Sequence, residues 1–430
     1  MDRTATLAPP LSYAEALNYV SDLARFGAKL GLERSQAIMA ALGNPGVGKR
    51  GALIAGTNGK GSTAAFLAAI LRTAGLSTGT TPSPHLLSYR ERIQINDQPI
   101  GEEDFAAALT AAQPAMEKVT AQLGPSTQFE LLTGLALAWL APRADRLVIE
   151  VGLGGRLDST NVLDFGLAVI TNVDLDHQSI LGSSVRQIAY EKAGIIKPGN
   201  LVITGARGEA LEVIETRATE LGCQLWRLGQ EIHLSAQSRG WEGSEVDVEG
   251  PGFAYRGLRL RLVGSWQPEN AALAVAAAHA LGDATESSVR EGLITANWPG
   301  RMQRLGSNLL LDGAHNPAAL RRVVPEVKQL AGEQAITLLL GATANKELPP
   351  MLAELHRLNP SRVICTAASS ARERVLSAEQ LADQWGQGAI ACPSAAAALE
   401  MAQAGIDDSG LIFVSGSLYL VGEVLGLVER

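Results

Sequence analysis

The stretch Gly56-Thr57-Asn58-Gly59-Lys60-Gly61-Ser62-Thr63 limits what this chain can fold into more than any other. The run Arg50 to Ala55 before it is short and apolar and reads as a buried strand. The run Ser62 to Gly75 after it is rich in alanine and leucine and reads as a helix with a glycine stop. Strand, glycine turn and helix together are the setting of a phosphate-binding loop. Glycines let backbone N–H groups close around phosphate oxygens, and the helix N-terminus adds partial positive charge. Lys60 is placed to reach a terminal phosphate, and Ser62 to offer its hydroxyl to Mg²⁺. The strict pattern G-x-x-x-x-G-K-[ST] is not met, because Ile54 and Gly61 stand where it requires glycine and Ser/Thr. Gly43 to Lys49 matches that pattern better in letters but fails on context. Arg50 holds the magnesium-ligand position, no strand precedes the segment, and a strand follows it.

Strands alternating with helices from 50 to 206 predict a doubly wound parallel sheet. Before it, residues 11–42 are amphipathic and helical, broken near Gly27 and Gly31. Within it, Tyr89 to Ile95 alternates like a strand, and Glu102 to Leu123 reads as a helix with a break or kink at Pro114. Residues 224–265 alternate over short polar strands and predict a small antiparallel patch closing the first domain. Near 297–302 a Pro-Gly turn suits a linker. Beyond it the alternation resumes with strands at 309–312, 335–340, 362–366 and 411–414, a second α/β domain of ordinary size. The expected domains are therefore 1–297 and 298–430, with the linker as a hinge.

Chemistry-bearing residues gather where strands end, which is where open parallel sheets bind ligands. Glu150 closes the apolar run Arg146 to Val151, and a buried carboxylate there must be paired or metal-bound. Asp174, Asp176 and His177 follow the strand Leu167 to Val173; His177 is open to two readings, a metal ligand or a surface polar residue. Asp312 and His315 stand where a later strand gives way to a helix. Gly152 to Asp158 resembles a dinucleotide fingerprint but has Leu157 at the third glycine, which argues against it. The formal net charge of −8 argues against nucleic acid or an anionic membrane as partner. No apolar run is long enough to span a bilayer and Met1 to Thr4 lacks a leader pattern, so a cytoplasmic chain is expected. Cys223, Cys365 and Cys392 are scattered and show no metal-ligand spacing.

Seven motifs in order resemble the folylpolyglutamate synthase/dihydrofolate synthase family of the Mur ligase superfamily. They are Gly56 to Ser62, Ser83 to Leu86, Glu150 to Asp158, Asp176-His177, Glu191 to Gly194, Asp312 to Pro317 and Gly416 to Tyr419. The resemblance implies an ATP-dependent amide ligase that adds L-glutamate to dihydropteroate and/or folate polyglutamates through an acyl phosphate. It implies a P-loop N-terminal domain and a Rossmann-like C-terminal domain. It gives Thr57, Asn58, Gly59, Lys60, Gly61, Ser62, Asn270, Arg301 and Asp312 to ATP. Ser62, Ser83 and Glu150 go to one Mg²⁺, and His177 to a second. Lys192 matches a lysine that becomes carbamylated, and His315 and Ser417 match positions for the incoming glutamate. Phe129, Arg156 and Asp158 resemble a pterin pocket. Lys60, Lys192, Asp312 and His315 form the expected catalytic set. The expected partners are ATP, L-glutamate and dihydropteroate or folate, with a monomeric chain. Two departures stand in the second domain: Asn345-Lys346-Glu347 in place of Asp-Lys-Asp, and Ala368 to Arg372 without the usual proline, Arg374 taking the expected arginine's place. The alternatives are a P-loop phosphotransferase or NTP hydrolase, another Mur-type amino-acid ligase, or a non-enzymatic nucleotide switch.

Overall fold

Every residue of β1 (Gly51–Ala55) is buried, as an apolar strand hydrogen-bonded on both sides must be. The computed structural model describes residues 10–27, 30–344, 348–370, 376–406 and 410–429. Helices α1 (Tyr13–Asp22), opened by a Ser12/Glu15 capping box, and α2 (Glu33–Ala41) precede β1. Then follow α3 (Lys60–Thr73), β2 (Thr78–Thr81), β3 (Gln94–Ile95), β4 (Gln98–Pro99), α4 (Glu102–Leu123) and α5 (Gln128–Leu140). The remaining elements of this sheet are β5 (Arg146–Glu150), β6 (Leu167–Ile170), α6 (Gln178–Leu181), α7 (Val185–Ala193), β7 (Leu201–Thr204), α8 (Gly208–Glu220) and β8 (Gln224–Arg227). The strand order is β4-β3-β2-β5-β1-β6-β7-β8, parallel from β2 to β8 with β3 and β4 antiparallel at one edge. The core beneath it runs from Val20 and Ile38 through Phe105, Leu135 and Ile149 to Ile214.

A three-stranded antiparallel sheet follows: β9 (His233–Ser238), β10 (Ser244–Gly250) and β11 (Phe253–Leu260). After α9 (Gln267–Ala280) and α10 (Glu286–Thr295) comes the second α/β sheet. Its strands are β12 (Gln303–Leu305), β13 (Leu309–Leu311), β14 (Ile336–Leu340), β15 (Arg362–Thr366), β16 (Ala389–Cys392) and β17 (Leu411–Ser415). Their order is β12-β13-β17-β14-β15-β16, parallel except for β12. The helices are α11 (Pro317–Ala331), α12 (Leu348–His356), α13 (Ala378–Trp385), α14 (Ala395–Ala404) and α15 (Leu418–Val428). Contacts divide the chain into two units. One comprises Met1–Val173, His177–Ile232 and Leu273–Gly292; the other comprises Asp174–Asp176, His233–Ala272 and Leu293–Arg430.

Four local expectations change. Residues 89–92 form a 3₁₀ turn, and only Gln94–Ile95 is strand, because the Glu91 carboxylate gathers the N–H groups of Leu86, Leu87 and Ser88 and curls the chain. Helix α4 runs unbroken through Pro114, carried by Leu109, Ala112, Met116 and Val119 on one buried face. Strand β8, expected in the antiparallel patch, extends the parallel sheet instead. The patch itself shares its contacts with the second unit, where Trp241 donates its indole N–H to the Leu330 carbonyl at 3.1 Å. Alternation establishes that a sheet forms, not which neighbour it packs on. The departures at Asn345-Lys346-Glu347 and at Arg372 and Arg374 lie outside the described residues.

Candidate active site

In the first unit the glycine turn leaves β1 and enters α3 as the sequence predicts. Gly56 has φ +153°, and a Cβ there would overlap the Thr171 hydroxyl, so glycine is required on both counts. The end of β6 holds the turn. Thr171 Oγ1 and Asn172 Nδ2 donate to the Asn58 carbonyl at 2.6 and 2.9 Å, and Asn172 Oδ1 accepts from Asn58 N at 3.0 Å. Gly59, the N-cap of α3, is left-handed (φ +83°) and makes no side-chain capping bond. Lys60 curls back over the loop, donating to the carbonyls of Gly56 and Thr57 at 3.1 and 3.3 Å. Ser62 is buried on the first turn. The rejected copy upstream is a run of turns, and its Lys49 donates to the Ala144 carbonyl.

Glu150 ends β5, is 5% exposed, and accepts from Ser83 N at 3.2 Å. Ser83, Phe129, Glu150, Arg92 and Thr160 line one small cavity of about 20 Å³. Two residues expected at magnesium and one expected at the pterin are thus brought together. Arg156 and Asp158 are not part of that cavity. The Arg156 guanidinium pairs with Glu191 at 2.8 Å and lies 5.5 Å from the Tyr190 ring centroid; its bond to Glu191 is the main reason its pKa is raised. Asp158 is buried and binds the N–H groups of Leu153 and Thr160 at 2.9 and 3.0 Å; burial pushes its pKa up against those bonds. His177 is exposed, at φ +49° ahead of α6. Lys192 is on α7 and only 3% exposed. Among the described residues, no three His, Cys, Asp or Glu side chains cluster as a metal site.

Four residues went unread in the sequence. Thr171 and Asn172 pin the phosphate loop, a role their strand-end position could have signalled. Lys197 donates to Asn161 O, Asn161 Oδ1 and Leu163 O at 3.0, 2.8 and 2.6 Å, and burial lowers its pKa to about 8. Asn161 in turn donates to the carbonyls of Arg156 and Gly194, which ties the loop after β5 to the end of α7.

His85, in the proline-rich loop, accepts from Arg92 Nε at 3.0 Å through Nδ1 and lies against Tyr89. Burial first, and the Arg92 charge second, lower its pKa from 6.5 to about 3. The imidazole is therefore neutral in the folded chain while an unfolded chain takes up a proton below 6.5. Stability should fall as pH drops from about 6.5 toward 3, on the order of 4 kcal/mol over the whole window. Denaturant titrations of the wild type and His85→Gln across that range test this, with the variant losing less; parallel curves would refute it.

In the second unit, Asp312 follows β13, is 3% exposed, and accepts from Met302 N and Ala314 N at 2.9 and 2.8 Å. Burial raises its pKa, and the Arg301 charge opposes the rise. Gly313 lets Arg301 and Leu418 approach, since a Cβ there would overlap both. His315 Nδ1 is 2.7 Å from the Gly313 carbonyl; a carbonyl only accepts, so Nδ1 carries the proton. Gly416 N donates to the Ala314 carbonyl at 3.0 Å. That bond joins the loops after β13 and β17, which carry Asp312, His315 and Ser417. Asn270 is buried and donates to Gln267 Oε1 at 3.0 Å.

The Mur ligase middle-domain family matches residues 54–278, and the Mur ligase glutamate ligase domain family matches residues 300–418. The chain is 31% identical to the Bacillus subtilis dihydrofolate synthase/folylpolyglutamate synthase, covering 96% of this chain and 98% of that one. It is 34% identical to the Escherichia coli protein of the same description, covering 99% and 97%. The solved Mycobacterium tuberculosis folylpolyglutamate synthase complexed with ADP superposes with TM-score 0.88 at 30% identity, covering 97% and 99%. Escherichia coli FolC in complex with DHPP and ADP superposes with TM-score 0.87 at 31% identity, covering 99% of each chain.

Proposed function

The chain belongs to the Mur ligase family, among the dihydrofolate synthase/folylpolyglutamate synthases, and on that premise we propose how its residues share the ligation. It is an ATP-dependent, ADP-forming amide ligase that adds glutamate to folates. In our reading the acceptor is dihydropteroate, a folate, or both. Its carboxylate takes the terminal phosphoryl group of ATP, the amine of L-glutamate attacks the acyl phosphate, and the tetrahedral adduct expels phosphate. The observation that supports this most is the glycine turn opening α3 at Gly59 beneath Lys60, in a loop pinned by Thr171 and Asn172.

Residues 57–62 hold the phosphates through backbone N–H groups, and Lys60 supplies a positive charge. Asn270, Arg301 and Asp312 hold the rest of the nucleotide. His315 and Ser417 receive glutamate; Phe129, Arg156 and Asp158 belong to the pteridine end. Three oxygen donors, the Glu150 carboxylate and the Ser62 and Ser83 hydroxyls, fit Mg²⁺, which favours hard oxygen ligands and keeps several waters. When bound there, the ion offsets the repulsion between phosphates and the acceptor carboxylate. His177 offers nitrogen, which fits Mg²⁺ poorly; its place at a second ion rests on the resemblance alone. Lys192, on α7 and 3% exposed, is the candidate for carbamylation, an assignment that rests on the resemblance. The division at 297/298, supported by the family matches to 54–278 and 300–418, and a monomeric, cytoplasmic state complete the proposal; the β9–β11 patch precedes that division in sequence while its contacts group with the second unit.

Product analysis tests it. ADP and phosphate should appear only when glutamate and a pteroate or folate are both supplied. Full-rate ATP consumption without glutamate would instead indicate a hydrolase or phosphotransferase.

A further inference from the structure

We propose that a basic cavity in the second unit binds the α-carboxylates of a poly-γ-glutamyl tail. This rests on the reading above that the chain elongates folates. The cavity has a volume of about 830 Å³, the size of a small-molecule site. Its walls are the turn after β9, the end of β11 with the residues beyond it, and the segment 294–304 leading into β12. Arg239, Arg259, Arg261, Arg301 and Arg304 line it.

Arg301 belongs to the nucleotide in the reading above and its charge faces the buried Asp312; against the other four arginines stand two lining acids, Glu242 and Glu245. Glu245 is already paired with Arg239 at 2.8 Å. Arg304 donates to the Ser307 carbonyl and lies 4.6 Å from the Trp241 ring centroid, so its guanidinium is held without a carboxylate. Arg259 and Arg261 are exposed, two positions apart along an extended segment, and their side chains have neither a hydrogen bond nor an ion pair among the described residues. In a chain of net charge −8, this excess of positive charge is a local reversal of sign.

Such an array suits a chain of carboxylates more than one carboxylate. A γ-linked glutamyl chain uses its side-chain carboxyl groups in amide bonds and leaves one free α-carboxylate per residue. Guanidinium groups bind carboxylates through two parallel hydrogen bonds, and arginine is weakly hydrated, so each contact forms with little loss. The cavity therefore selects acceptors by tail length. The nucleotide is the other large polyanion in the reaction, and the test separates the two.

The double variant Arg259→Gln/Arg261→Gln removes two exposed charges that have no structural partner. With a triglutamylated folate its KM should rise about tenfold or more, while KM for the monoglutamate and for ATP changes by less than about twofold. Equal KM changes for both tail lengths, or none, would overturn the proposal. A raised KM for ATP with every acceptor would assign the cavity to the nucleotide and overturn it as well. If the wild type adds glutamate to no folate, the functional reading fails, and titration calorimetry with free tri-γ-glutamate then decides this one alone. Binding to the wild type that weakens about tenfold in the double variant supports it; no binding to the wild type overturns it.

Discussion

Lys60→Ala should keep its fold and lose at least about a thousandfold in ligation rate. A thousandfold corresponds to roughly 4 kcal/mol of transition-state stabilisation, the scale of a preorganised charge acting on a transferring phosphoryl group. Nothing else in the loop replaces that charge. Gly59, Gly61 and Ser62 contribute N–H groups and a hydroxyl, and the helix dipole contributes about half a unit charge. The structural cost is small. The two bonds from Lys60 to the carbonyls of Gly56 and Thr57 return to the loop itself, whereas Asn58 is held from β6 by Thr171 and Asn172. Alanine also favours the start of a helix more than lysine does. The check pairs kcat/KM for glutamate addition with the thermal midpoint of both proteins. A variant that retains more than a tenth of the wild-type rate contradicts the role assigned to Lys60. A collapsed midpoint would instead make the loop bonds structural.

What could be read from the sequence depended on whether the cause was local. The turn from β1 to α3 was legible because apolar residues, glycines and a helix stop follow one another within 26 residues, from Arg50 to Gly75. Glu150 was legible for the opposite reason: a carboxylate inside an apolar run conflicts with its surroundings. The 3₁₀ turn at 89–92 was hidden because its cause is one side chain, Glu91, binding three N–H groups at once, and alternation cannot report that. Strand β8 went to the parallel sheet through its ladder with β7, a pairing across the α8 crossover that no local pattern encodes. The same limit applies to the site. Phe129, Ser83 and Glu150 meet in one small cavity although 67 residues separate Ser83 from Glu150. Arg156 and Asp158 sit in the same motif as Glu150, yet one turns to Glu191 and the other to the backbone of its own loop. Which side chains share a cavity there is decided by the fold and not by their spacing within the motif.

Glu150→Gln should cost at least about a hundredfold in rate and shift the magnesium dependence to higher concentration, with little change in stability. The substitution keeps volume and an acceptor oxygen, so the bond from Ser83 N survives. What it removes is a charge at a position only 5% exposed. A buried carboxylate is costly unless a cation or donors offset it, so its removal relieves the apo protein as much as it harms it. For the reaction the balance differs. The two hydroxyls of the same proposed site are neutral, and the carboxylate is the one anionic ligand assigned to the ion on the protein side. Losing it weakens metal affinity and leaves more of the phosphate charge to Lys60. Rate against Mg²⁺ concentration, measured for both proteins with saturating ATP, separates the possibilities. A metal role predicts a midpoint displaced upward, with the rate partly restored at high magnesium. A purely structural role predicts an unmoved midpoint and a lower melting temperature, which would remove Glu150 from the proposed site.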